Sequence, residues 1–113
     1  MKTTSADAAG ETAADIDTPL GSGEAEVLAQ LLQAISAPAR LRIVDLLERG
    51  SRTVAAISDE LRMSQPTVSN HLRLLRHMAV VAGHREGRNV RYSLIDDHIA
   101  TVIRQLRVHA SHR

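Results

Sequence analysis

The 113-residue chain has no cysteine, no tryptophan and no phenylalanine, and Tyr92 is its one aromatic residue apart from histidines. Without thiols, disulfides, thiolate metal sites and thiol redox switches are excluded, so a metal would have to be held by nitrogen and oxygen donors. Without aromatic bulk the core must come from Leu, Ile, Val and Ala, a repertoire that leads us to expect burial against a second copy. Long apolar runs are also missing. None approaches the ~20 residues that span a bilayer, and the first residues lack the basic-then-apolar layout of a secretory signal. The expectation is a soluble, cytoplasmic protein with no membrane partner.

What charge there is divides along the chain, although the formal total is only +1. Residues 1–26 hold one lysine against six acids, a net −5; the remainder sets thirteen arginines against seven acids, a net +6. Guanidinium forks suit phosphate oxygens and guanine edges. Residues 1–23, MKTTSADAAGETAADIDTPLGSG, have no periodicity and almost no large apolar residues, and read as a disordered acidic arm ahead of one folded domain over 24–113.

Helical spacing begins after that arm. Val27, Leu28, Leu31, Leu32 and Ile35 mark a first helix, and Pro38 opens a second that carries Leu41, Val44 and Leu47 and stops at Gly50. A short third helix, TVAAISDEL, follows a Thr53 cap. Ser64 caps a fourth, QPTVSNHLRLLRHM, after a spacing that fits a tight turn. Two stretches then contain Val80 and Val81, and Val90, Tyr92 and Leu94, around a tip of Arg85, Glu86, Gly87 and Arg88. They predict a β-hairpin, with a final helix beginning near Asp96. The expected class is mostly α with a small β-hairpin: a winged helix-turn-helix.

The fourth helix carries the chemistry that such a fold needs. At about 100° per residue, Ser69, Arg73 and Arg76 fall within about 80° of Gln65, with Asn70 further round the same side. Val68, Leu72, Leu74, Leu75 and Met78 take the other side, as does His71, which reads as a packed histidine. Gln and Asn can pair with adenine, Ser with a base or phosphate, and Arg with guanine or phosphate. Arg85 and Arg88 at the hairpin tip are placed for the DNA backbone or minor groove. The expected partner is double-stranded operator DNA.

ISAPARLRIVDLL, MSQPTVSNHLRLLR and HREGRNVRYSL together resemble the ArsR/SmtB family of bacterial metal-sensing repressors, over about residues 27–112. The resemblance implies a homodimer that binds its operator when metal-free and releases it with the inducer bound. It points to Gln65, Pro66, Thr67, Ser69, Asn70 and Arg73 on the recognition helix, and to Arg85 and Arg88 on the wing. Asn70 stands where many relatives have His or Arg. Ala79 stands where a glycine often ends the recognition helix. The cysteine pair that many family sensors carry on the third helix is absent here.

The last stretch, DDHIATVIRQLRVHASHR, spaces Asp96, His98, His109 and His112 as candidate ligands. His109 and His112 are neighbours at i, i+3. His98 and His109 lie about 16 Å apart along one helix, too far to share an ion, yet eleven residues is close to three whole turns, so both point the same way. A second, antiparallel copy of the helix would bring Asp96 and His98 of one chain to His109 and His112 of the other, giving two equivalent sites in a two-fold dimer. The apolar line Ile99, Val102, Ile103 and Leu106 runs beside the histidines, and Asp97 reads as a first-turn acid. One carboxylate and three imidazoles suit Zn(II) as inducer, with Co(II) or Ni(II) behind it. The resemblance further implies that His109 couples to the end of the recognition helix around residues 77–79. Two other readings remain: a winged-helix regulator that senses an organic ligand or nothing, and a zinc hydrolase. The second needs an open metal position and a general base.

Overall fold

Capping side chains at Thr53 and Ser64 and prolines at the starts of two helices help to divide the chain into eight elements. The computed structural model describes residues 15–112, so most of the expected acidic arm lies outside the described residues. The order is α1 (Ser22–Ile35), α2 (Pro38–Glu48), β1 (Arg52–Thr53), α3 (Val54–Leu61), α4 (Gln65–His77), β2 (Val81–Glu86), β3 (Asn89–Leu94) and α5 (His98–Ser111). Thr53 caps α3 by accepting from Ala56 N–H at 3.2 Å, and Ser64 caps α4 by accepting from Thr67 N–H at 3.3 Å. Pro38 and Pro66 sit in first turns, where a missing N–H costs nothing. No helix among the described residues is long and apolar enough to cross a membrane.

Three boundaries differ from the sequence reading. The wing is not a lone hairpin but a three-stranded antiparallel sheet of order β1-β3-β2, because Arg52 and Thr53 pair with Tyr92 and Arg91. Helix α1 starts at Ser22, two residues before the expected onset. Asp97 is the N-cap of α5 rather than a first-turn acid, and makes no side-chain cap bond; Asp96 precedes the helix.

One aliphatic cluster joins these elements. Ile43 and Val44 of α2, Ile57 of α3, Val68, Leu72 and Leu75 of α4, and Val81 of β2 are fully buried, and Ala100 and Ile103 of α5 complete the cluster. Burying each larger side chain stabilises the fold by about 1.5–3 kcal/mol. Helix α5 rests on α2 through Ile103, while Arg104 pairs with Glu48, and Arg107 with Asp45 at 3.6 Å, at the solvent edge. Leu28 and Leu32 of α1, and Val102, Leu106 and Val108 of α5, remain exposed.

The end of α4 is closed by a Schellman arrangement: Ala79 N–H donates to Arg76 C=O at 3.0 Å and Val80 N–H to Leu75 C=O at 2.9 Å. This places Ala79 at φ 59°, a left-handed conformation that glycine adopts freely and alanine does not. Ala79→Gly is expected to stabilise the protein by about 0.5–1 kcal/mol, the relief of strain exceeding the entropy glycine adds to the unfolded chain. An unchanged or lower denaturation midpoint would contradict this.

His71, half-buried on α4, has its pKa held below 6.5 by burial and, secondarily, by the charge of Arg40. The unfolded chain therefore binds the proton more readily, so the contribution of neutral His71 to stability is present above pH 6.5 and lost as pH falls below it. Urea denaturation from pH 7.5 to 5.5 is expected to show a shallower loss of stability in His71→Gln than in the parent.

Candidate nucleic-acid interface and sensor helix

Burial of Val68, Leu72 and Leu75 leaves the opposite side of α4 open, and Gln65, Pro66, Thr67, Asn70, Arg73 and Arg76 are all exposed there, with Ser69 half-exposed. At the N-terminus of α4, Pro66 has no N–H and Thr67 N–H is taken by Ser64 Oγ, so it is the helix dipole rather than a row of free donors that favours a phosphate there. Ser64 and Thr67 hydroxyls are bonded to each other at 2.7 Å. Arg73 donates to Asn70 Oδ1 at 2.9 Å, a contact that helical spacing of three permits but does not announce. The Asn70 amide nitrogen stays free to donate, while its carbonyl is committed to holding the guanidinium in place.

On the wing, β2 and β3 pair from Val81↔Leu94 to Glu86↔Asn89, and Gly87 at φ 61° makes the tip. Arg85 and Arg88 are exposed and, among the described residues, without a carboxylate partner. Arg91 is different. It pairs with Glu86 at 3.1 Å and donates to Ser51 C=O at 3.1 Å, tying the wing to β1's approach. Sequence reasoning did not single it out, since its partner Ser51 lies forty positions away.

The four candidate metal ligands lie at the two ends of α5. Asp96 Oδ1 accepts from His98 N–H at 3.0 Å, and Asp96 Oδ2 lies 3.4 Å from His98 Nδ1. The carboxylate thus orients the ring, leaving Nε2 as the outward donor. At the other end His109 occupies the last turn of α5 and His112 its C-cap, both exposed. The two pairs are not brought together within one chain: among the described residues no group of three histidines and carboxylates is close enough to hold an ion. The donors present are N and O, each solvent-accessible, which fits a site completed by a second chain. Among the described residues, no hydrogen bond joins His109 to residues 77–79.

Known proteins similar to this chain share its family and fold. The family model for bacterial regulatory proteins of the arsR family matches residues 37–82. The transcriptional regulator NmtR of Mycobacterium tuberculosis is 38% identical over 94 residues, covering 83% of this chain and 78% of its own. The transcriptional repressor SmtB of the same species is 42% identical over 81 residues, 72% of this chain and 60% of its length. Among solved structures, the homodimeric winged helix-turn-helix domain Mb0332 of Mycobacterium bovis superposes with a TM-score of 0.72 at 26% identity, covering 90% of this chain and 91% of that domain.

Replacing Arg85 and Arg88 together by alanine should weaken DNA binding similarly across sequences and flatten its salt dependence by about 1 logarithmic unit for each phosphate no longer neutralised. Fluorescence anisotropy over a salt series measures both; an unchanged slope would place the wing off the DNA.

Proposed function

Because the chain belongs to the arsR family of bacterial regulatory proteins, DNA-binding transcriptional regulators and not enzymes, we propose that it is a zinc-responsive repressor acting as a homodimer. The observation that carries this reading is the division of Asp96 with His98 from His109 with His112 at opposite ends of one helix. An antiparallel partner helix supplies each pair with its complement. The apolar ridge between them, Val102 and Leu106, is 40% and 55% exposed in the single chain and fits such a contact. The homodimeric state of the Mb0332 domain supports a dimer.

Gln65, Pro66, Thr67, Ser69, Asn70 and Arg73 read the major groove from α4, and Arg85 and Arg88 clamp the backbone from the wing. Gln65 and Asn70 donate to base edges. Arg73, held by Asn70, addresses guanine or phosphate. At the sensor, Asp96, His98, His109 and His112 would hold the ion, Asp96 also fixing the orientation of the His98 ring. Bound there, the metal supplies a cross-link between helices; N/O donors in a set of four suit Zn(II), with Co(II) or Ni(II) as alternatives.

Transmission to DNA runs through α2. Helix α5 packs on it by Ile103 and by the Arg104–Glu48 and Arg107–Asp45 pairs, and Ile43, Val44 and Leu47 of α2 share the cluster that seats α4. A changed angle between the two α5 helices therefore changes the separation of the two recognition helices. Coupling of about 1–3 kcal/mol would alter operator affinity about 5- to 150-fold.

Operator gel shifts are expected to weaken with micromolar zinc in the parent and to become insensitive in the His109→Ala, His112→Ala double variant, with metal-free binding retained. A complex that ignores zinc, or a double variant that still responds, would overturn the reading. Zinc affinity, measured by competition with a chromophoric chelator, is expected to weaken on acidification, because protonated imidazole cannot ligate.

A further inference from the structure

A cavity of about 390 Å³, wide open to solvent, lies on the flank of α4 turned away from the DNA-reading side, lined by the exposed Gln30 and Gln33 and by Ala34 of α1, Arg40 of α2, and Leu74 and Met78 of α4. Arg40 Nε is, among the described residues, the one buried side-chain nitrogen or oxygen without a hydrogen-bond partner. No carboxylate of those residues is within ion-pairing distance of its guanidinium. A guanidinium drawn partly out of water and left unpaired carries a desolvation penalty that a bound anion would relieve. The charge is felt nearby: after burial, Arg40 is the second cause that holds the His71 pKa down.

The lining sets the class of ligand. Arg40 offers a planar fork of donors matched to a carboxylate, and the Gln30 and Gln33 amides can add further bonds. Ala34, Leu74 and Met78 form the apolar half, which an inorganic anion would leave unfilled. A neutral molecule would leave the charge of Arg40 unanswered. The volume is at the lower end of the range for small-molecule sites.

We propose that this cavity binds a small aliphatic carboxylate, its charged group on Arg40 and its hydrocarbon on Ala34, Leu74 and Met78. The site is separate from the zinc ligands, all of which lie at or beside the ends of α5. A dimer contact through the exposed Leu28 and Leu32 of α1 need not obstruct it: at about 100° per residue Gln30 lies about 160° from both, although the exposed Val27 is only about 60° from Gln30 and Gln33 about 100° from Leu32. The occupant would bridge α1, α2 and the C-terminal half of α4. Operator and carboxylate affinities are then linked reciprocally, a consequence that rests on α4 being the recognition helix.

The test titrates the full-length protein with acetate, butyrate and hexanoate, with butyramide as the neutral control, followed by amide and methyl NMR. Saturable shifts at Gln30, Gln33, Leu74 and Met78 with at least one carboxylate in the millimolar range or below, none with butyramide, and loss of the response in Arg40→Gln are expected. Saturation by none of the three, an equal response to butyramide, or an undiminished response in Arg40→Gln would overturn the proposal. Should Arg40→Gln not fold, the exposed pair Gln30→Ala, Gln33→Ala is expected to weaken binding several-fold, and unaltered affinity there counts against the site. Operator affinity at saturating carboxylate should differ from that of the free protein; equality overturns the linkage. The zinc response of the operator complex, measured alongside, is expected to survive in Gln30→Ala, Gln33→Ala, so the two readings fail separately.

Discussion

Val68, Leu72 and Leu75 are shut off from solvent in the cluster they share with Ile43, Val44 and Ile57, and that strip of aliphatic packing fixes which side of α4 can meet a partner. With no phenylalanine or tryptophan available, the cluster is built from branched aliphatics whose shapes must interlock closely, since no large ring spans a gap between them. The polar side of α4, the seat of α5 on α2 and the cavity against α1 all take their positions from it.

The recognition helix was legible because its two kinds of residue separate at helical period within thirteen residues. Caps at Thr53 and Ser64 were legible for the same local reason. Strand β1 was not: two residues offer no alternation to read, and what makes them a strand is pairing with Arg91 and Tyr92, far along the chain. Non-locality also hid the setting of Arg40, whose surroundings come from three helices, and the contact of Arg91 with Ser51. Leu74 and Met78 sorted with the core on a helical wheel, yet they line the cavity half-exposed, because a wheel gives direction and not what stands opposite. The spacing of Asp96, His98, His109 and His112 conveyed that one helix could not close a site, while the contact of Asp96 with the His98 ring needed coordinates.

Division of a ligand set between chains has a thermodynamic meaning. On the proposed reading each end of α5 offers two donors, so affinity for an ion would depend on how the chains are arranged, and by linkage the arrangement on the ion. A complete set within one helix would bind metal without reference to any other part of the molecule. On the proposed reading, the long axial gap between His98 and His109 is what makes the metal report on geometry.

Val80 gives its N–H to Leu75 of α4 and its C=O to Ile95 N–H, at 2.9 and 3.1 Å, so one residue is bonded at once to the reading helix and to the segment leading into α5. Recognition helix and wing thereby meet at a locked elbow. Such a joint leaves little room for a response that reshapes the reading head itself. In the proposed dimer the two heads behave as the jaws of calipers, rigid in form and adjustable only in their opening. The half-sites they grip, spaced by about 34–36 Å per helical turn of DNA, then serve as the gauge against which that opening is judged.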